Sequence, residues 1–118
     1  MTTKRTAANV AALNDAFRKG QRPELGRIVI TASARDAVAA WPLGVLGLNE
    51  RVRAFNTFTP GNDPWGERDF GSFEHAGLSI NWKIDYYDRA SNLTAGAEDP
   101  TDPETCERVL TIMLAEDY

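Results

Sequence analysis

One cysteine, Cys106, and one histidine, His75, are all that this 118-residue chain has of either residue. A lone cysteine cannot close an intramolecular disulfide, which fits a reducing compartment. A lone histidine excludes a histidine-rich zinc site within one chain. No apolar run approaches the ~20 residues needed to span a bilayer. The start of the chain also lacks the charged, apolar and small-residue segments of a secretory signal. A soluble, cytoplasmic protein without contact to membranes is therefore expected. Gly44 and Gly47 match neither dinucleotide-binding nor P-loop spacing, so no phosphate-cradling loop is legible. No internal repeat or low-complexity tract is present, and no cofactor is expected.

What the chain does have is a core-forming composition. Hydrophobic residues make up 42% of it and three are Trp, which argues for a folded globule rather than a disordered chain. The length suits one domain over residues 1–118, with 1–5 and about 89–101 expected to be mobile. The net charge of −4 conceals a split. Up to Phe55 there are nine Lys and Arg against four Asp and Glu; from Asn56 onward there are four against thirteen. If those segments fold onto different faces, the molecule is an electric dipole whose acidic side attracts a basic partner; if they interleave, the asymmetry averages out.

The clearest local signal is Leu78-Ser79-Ile80-Asn81-Trp82-Lys83-Ile84-Asp85-Tyr86-Tyr87. Apolar and polar residues alternate without a fault, the signature of a long half-buried β-strand. Leu78, Ile80, Trp82, Ile84 and Tyr86 face a core, which leaves Ser79, Asn81, Lys83, Asp85 and Tyr87 as a row of polar groups on the other side. Asp69 to His75 should pair with this strand as a hairpin around Ala76-Gly77. Phe70 and Phe73 have opposite parity, so Gly71 is expected to carry a bulge that returns both to one face.

Elsewhere, Val10, Leu13 and Phe17 mark an amphipathic helix that Gly20 and Pro23 end. Ile28, Val29 and Ile30 read as a short buried strand. Residues 34–47 read as a turn of helix and loop, and Leu48, Val52 and Phe55, with Phe58 near the same face, give a helical stripe that Pro60-Gly61 stops. Asp102 as N-cap, Pro103 and Glu104 announce a final helix whose buried stripe is Cys106, Val109, Leu110 and Met113. The fold class is α+β in the order α-β-α-β-β-α: a small, mostly antiparallel sheet of about three strands with helices packed on one face.

Chemistry could reside in the turn-rich loop from Asn62 to Gly71. One reading gathers Asp63, Glu67, Asp69 and Asp85 as a hard-cation or acid/base site of a small hydrolase or nuclease, with Lys83 beside a phosphate. The plainer reading has Asn62 and Asp63 capping turns, Glu67 and Arg68 solvated, and Asp69 paired with a backbone amide. His75 beside the hairpin is either a titrating acid/base or a solvated turn residue. Cys106 on an apolar stripe is a small hydrophobe rather than a nucleophile. Lys4, Arg5, Arg18, Lys19, Arg22 and Arg27 could bind phosphate as part of a DNA-binding accessory protein, though no aromatics interleave with them. Acids from Glu98 to Glu107 partly cap a helix, and their remaining charge could imitate a phosphate backbone.

Ala12 to Arg18, the loop Asn62 to Gly71, the strand Trp82 to Asp88 and the ending Arg108 to Ala115 together resemble a family of small uncharacterised bacterial proteins, a domain of unknown function. The resemblance covers nearly the whole chain. It implies an association with plasmids and other mobile elements, and a part in element maintenance or in countering host defence. Where family members commonly carry a histidine, this chain has Arg68, which removes a metal-binding or acid/base ring from the loop. The expected function is thus a non-enzymatic interaction module acting on a macromolecular protein partner, in the manner of an inhibitor of a nucleic-acid-targeting defence complex. Its contact surface would be Asn81, Lys83, Asp85 and Tyr87, bordered by Trp65 and Arg68, with Trp65 either a protruding anchor or folded back to cover the sheet.

Overall fold

The computed structural model describes residues 6–118. Lys4 and Arg5, members of the basic amino-end cluster, lie outside the described residues. The chain runs through α1 (Ala7–Arg18), β1 (Gly26–Ile30), α2 (Ala32–Val38), α3 (Gly44–Ala54), β2 (Phe70–His75), β3 (Leu78–Asp88) and β4 (Cys106–Leu114). The strands form one sheet in the order β1-β4-β3-β2. The β2–β3 and β3–β4 pairs are antiparallel, whereas β1 runs parallel to β4. The α+β class is as expected, with a fourth strand and a parallel pair added.

That fourth strand is the expected final helix. Asp102 does open a turn: its carbonyl accepts from the amides of Thr105 and Cys106, and its carboxylate accepts from Glu104 N at 3.0 Å. The turn then breaks into β4, because Arg108 to Ile112 is paired on both edges, with β1 on one side and β3 on the other. Val109, Leu110, Ile112, Met113 and Leu114 are all buried. The run of β4 from Val109 to Leu114 is apolar at every position but Thr111, and short spacing patterns cannot tell such a run from a helix stripe.

Residues 34–47 also differ from expectation, holding most of α2 and the start of α3. Thr31 caps α2 by accepting from Ala34 N at 3.3 Å. The stripe of Leu48 and Val52 is helical as expected, but α3 ends at Ala54, so Phe55 and Phe58 continue it from an extended segment. At the amino end, Thr6 caps α1 through Asn9 N, and Gly20 follows the helix with φ 78°.

Among the described residues, α1, α2 and α3 all lie on one face of the sheet. Phe17, Leu25, Ala34, Val38, Leu48 and Val52 cover Ile80, Trp82, Ile84, Leu110, Ile112 and Leu114. Two buried arginines fasten this layer. Arg18 Nη1 donates to the carbonyls of Val52 and Arg53 at 2.9 and 3.0 Å, capping the negative end of α3, and Nη2 donates to Asp15 at 3.0 Å. Arg108 Nε donates to Asn14 Oδ1 at 2.7 Å and Nη2 to the carbonyl of Pro100 at 2.6 Å, which ties β4 to α1. Around residues 89–101 hydrogen bonds join the segment to its neighbours. Asp88 N donates to Ala95 O, Ala97 N to Tyr86 O, and Arg89 reaches the carbonyls of Glu24 and Pro103.

The hairpin closes on His75 and Leu78 with Ala76 at φ 48° and Gly77 at φ 84°, both left-handed as a two-residue twisted turn requires. The bulge expected at Gly71 is not there, since the register runs unbroken from Phe70–Lys83 to His75–Leu78. Phe73 therefore enters the core while Phe70 turns to the opposite face, against the ring of Tyr118. Gly71 instead makes room for Trp82: a Cβ there would fall among the Trp82 indole and the Phe55 ring. Gly71→Ala should consequently destabilise the fold by about 1–3 kcal/mol, the usual cost of overpacking. Urea unfolding checks this; an unchanged midpoint would contradict it.

Candidate functional site

The strict alternation of β3 gives the sheet a second, helix-free face. Asn81, Lys83, Asp85 and Tyr87 all project there, each partly exposed, as the sequence pattern required. Register then decides their neighbours. Lys83 stands opposite Thr111, Asp85 opposite Val109, and Asn81 opposite Met113. The last turn, Ala115–Asp117, swings Tyr118 over the same face, where its ring meets Phe70 edge to face at 6.1 Å.

Together these residues shape a groove of about 530 Å³. Val109, Thr111 and Met113 form its floor; Lys83, Asp85 and Tyr87 form one wall; Thr31, Asp117 and Tyr118 form the far end. Met113 is only 3% exposed although no helix covers it, because these walls rise around it. An apolar floor bounded by tyrosines and charges is a surface suited to anchor a partner side chain.

The electrostatics of the face are lopsided. Lys83 Nζ pairs with Asp85 at 2.9 Å, and Arg27 pairs with Glu107 at 2.8 Å. The hydrogen bond from Lys83 to Asp85 raises the lysine pKa above its usual value. Asp117 is met by neutral donors instead: Ser33 Oγ at 2.6 Å, Thr31 Oγ1 at 3.1 Å and Leu114 N at 3.1 Å. These bonds, Ser33 first, hold its carboxyl below the usual range. Glu74 accepts from the Ser79 hydroxyl at 2.6 Å on the same face. Among the described residues of β1, β3 and β4 on this face, the cations Lys83 and Arg27 are each matched by an acid, and Asp117 and Glu74 add carboxylates bound by neutral donors.

Trp65 and Arg68 do not border this groove. Their loop folds onto the helix-bearing side, where Arg68 Nη1 donates to Asp15 at 2.8 Å and its guanidinium lies 4.9 Å from the Phe58 ring. Phe58 in turn packs on Trp82, which points away from Lys83. Trp65 is 80% exposed beside Phe58, Pro60 and Arg68, in a second groove. The surface expected as continuous is thus two surfaces separated by the sheet.

The four carboxylates considered for a cation are divided as well. Asp63 accepts from Arg68 N at 3.1 Å, stabilising the turn. Glu67 lies under α1, where its carbonyl accepts from Asn14 and its carboxylate sits 3.4 Å from the Tyr86 hydroxyl. Asp69 O accepts from Ile84 N, one step beyond the Phe70–Lys83 pair, which sets Asp69 on the helix side. Asp85 is on the open side. Among the described residues no group of three or more His, Cys, Asp or Glu side chains is arranged to hold a metal ion.

Other sequence candidates have structural placements. His75 ends β2 with its ring 4.9 Å from Trp41 and Nδ1 3.4 Å from Arg51, and burial followed by that charge lowers its pKa. Cys106 is fully buried against Arg108, and burial raises its thiol pKa. Of the basic amino-end residues, Arg18 is buried, Arg22 pairs with Glu24 and Arg27 with Glu107. Sequence reasoning missed the groove floor and Tyr118. Val109, Thr111 and Met113 share one face of β4 and Leu110, Ile112 and Leu114 the other, but both sets are largely apolar, so no alternation of polarity marks the strand, and helix-start residues precede it.

In comparison with known proteins, a family model described as protein of unknown function (DUF3768) matches residues 36–117. No curated protein and no solved structure matches. No helix among the described residues is long and apolar enough to cross a membrane.

The environment of Asp69 yields a pH test. Burial is the largest influence and raises its pKa above the ordinary 3.8, opposed by a backbone hydrogen bond and reinforced by Glu67, Asp63 and Asp85. Its contribution to stability is therefore complete below the ordinary value and lost as pH rises through the folded-state value. Asp69→Asn, which cannot ionise, should be more stable than the natural protein at neutral pH, with the advantage vanishing as pH falls toward 3.8. Urea midpoints at the two pH values measure this; a natural protein at least as stable at neutral pH would contradict it.

Proposed function

The chain belongs to this family of proteins of unknown function, DUF3768, and we propose that it is a non-enzymatic interaction module that captures a basic protein on the helix-free face of its sheet. The observation that carries this reading is the groove over Val109, Thr111 and Met113, flanked by Tyr87 and Tyr118 and left negative by Asp117 and Glu74. Tyrosine rims over an apolar floor are what tight contacts are built from. Surplus negative charge steers a basic partner onto them and sets the salt dependence of its arrival.

The partner, on this reading, is a basic subunit of a nucleic-acid-handling defence complex, and the protein inhibits it on behalf of a mobile element. Support for that finer identity comes from the family resemblance and from the acid excess beyond Asn56, which offers a basic protein a substitute for phosphate. Direct nucleic-acid binding draws less support, because Arg18 is buried and Arg22 and Arg27 are engaged by acids.

The experiment is a binding screen over purified basic nucleic-acid-binding proteins at low and physiological salt. Tyr87→Ala should weaken the captured partner at least about tenfold, a loss of about 1.4 kcal/mol or more. Asp85→Asn should weaken it less and flatten its salt dependence. Trp65→Ala should bind like the natural protein. Capture that survives Tyr87→Ala but fails in Trp65→Ala would contradict the assignment.

A further inference from the structure

We propose that two copies of this chain associate through their β1 edges, joining their sheets into one of twice the width. β1 pairs with β4 on one side, and no other described strand pairs with it. Thr31 N donates to Ile112 O, which fixes the parallel ladder: Arg27, Val29 and Thr31 bond inward, so Ile28 and Ile30 turn their N–H and C=O groups outward. Such a row is a template for another strand.

Side chains along this edge favour pairing too. Ile28 shares a face with Leu110 and Val29 shares the other with Thr111, yet each is 39% exposed. Both faces of one edge strand thus present branched apolar groups to water. Of the usual protections Gly26–Ile30 has neither Lys nor Pro, and its single charge, the half-exposed Arg27, is paired with Glu107 at 2.8 Å. By contrast β2, the other edge, shows Ser72 and Glu74 to solvent.

A second copy is the occupant because the strand is complementary to itself in one register. With a two-fold axis at Val29, the pairing is antiparallel and Val29 meets Val29. Ile28 then meets the partner's Ile30, and Arg27 meets the partner's Thr31. Every branched apolar side chain faces another, no like charges oppose, and the outward N–H and C=O groups of Ile28 and Ile30 all find partners. Moving the axis to Ile28 would set Arg27 against Val29 and Gly26 against Ile30, losing those matches. In the favoured register the two helix-free faces lie on the same side of the joined sheet, so a dimer presents both grooves together.

Two measurements test this on the full chain. Sedimentation should show a dimer that Val29→Lys weakens at least about tenfold with unchanged circular dichroism, since it opposes two ammonium groups at the axis. Val29 pairs across the axis without hydrogen bonds, with Cα atoms about 4.5 Å apart, so Val29→Cys should form a covalent dimer under oxidised glutathione. Arg27→Cys should not, and neither should the natural protein, whose Cys106 is buried. A natural protein that remains monomeric at about 100 µM would overturn the proposal. Arg27→Cys cross-linking in preference to Val29→Cys would also overturn it.

Discussion

The register of β3 is the constraint on which the rest of this structure depends. A slip of one residue against β2 and β4 would turn Trp82, Ile80 and Ile84 to water and drive Lys83 and Asp85 into the core. Several features hold it. The two-residue turn at Ala76-Gly77 sets the hairpin phase, Gly71 admits the Trp82 indole at one position only, and β4 locks the other edge. Phe55 and Phe58 then meet the indole edge on at 5.6 and 6.2 Å, which gives its large surface a fixed orientation.

Two buried cations fasten the helices to the face that the apolar side of β3 and β4 sets. Arg18 unites α1 with the end of α3, and Arg108 reaches from β4 to Asn14 of α1, itself bonded to Tyr86 and to the Glu67 carbonyl. Leaving one such buried group without its partner costs about 1–3 kcal/mol, so these bonds act as position-specific locks beneath a less specific apolar layer. All of them draw α1 and the loop before β2 to the side of Trp82. The opposite face keeps only what β4 and the last turn provide, and that is why it forms an open groove.

Much of this was legible in the chain and some was not, for identifiable reasons. The alternation from Leu78 to Tyr87 depends on contacts a strand makes along its whole length, so pattern alone revealed both faces. The helix around Val10 and Phe17 and the hairpin turn had local punctuation at Gly20 and Ala76-Gly77. β4 was obscured because Asp102, Pro103 and Glu104 do build a turn, and because Val109 to Leu114 carries apolar residues on both faces, so polarity does not alternate along it. The side taken by Trp65 and Arg68 was invisible, being set by Asp15 and by Phe58, residues distant along the chain or without periodicity of their own. The groove floor was lost with β4.

Function follows from the asymmetry so produced. One face is closed by helices and buried arginines; the other combines an apolar floor, tyrosines and surplus acid. The most direct measurement uses two reporters on opposite sides of the sheet in one NMR titration with a captured basic protein: the methyl group of Met113 in the groove and the indole N–H of exposed Trp65. Binding on the helix-free face predicts a shifted Met113 methyl signal and a stationary Trp65 signal. A shifted Trp65 with Met113 unchanged would contradict the account.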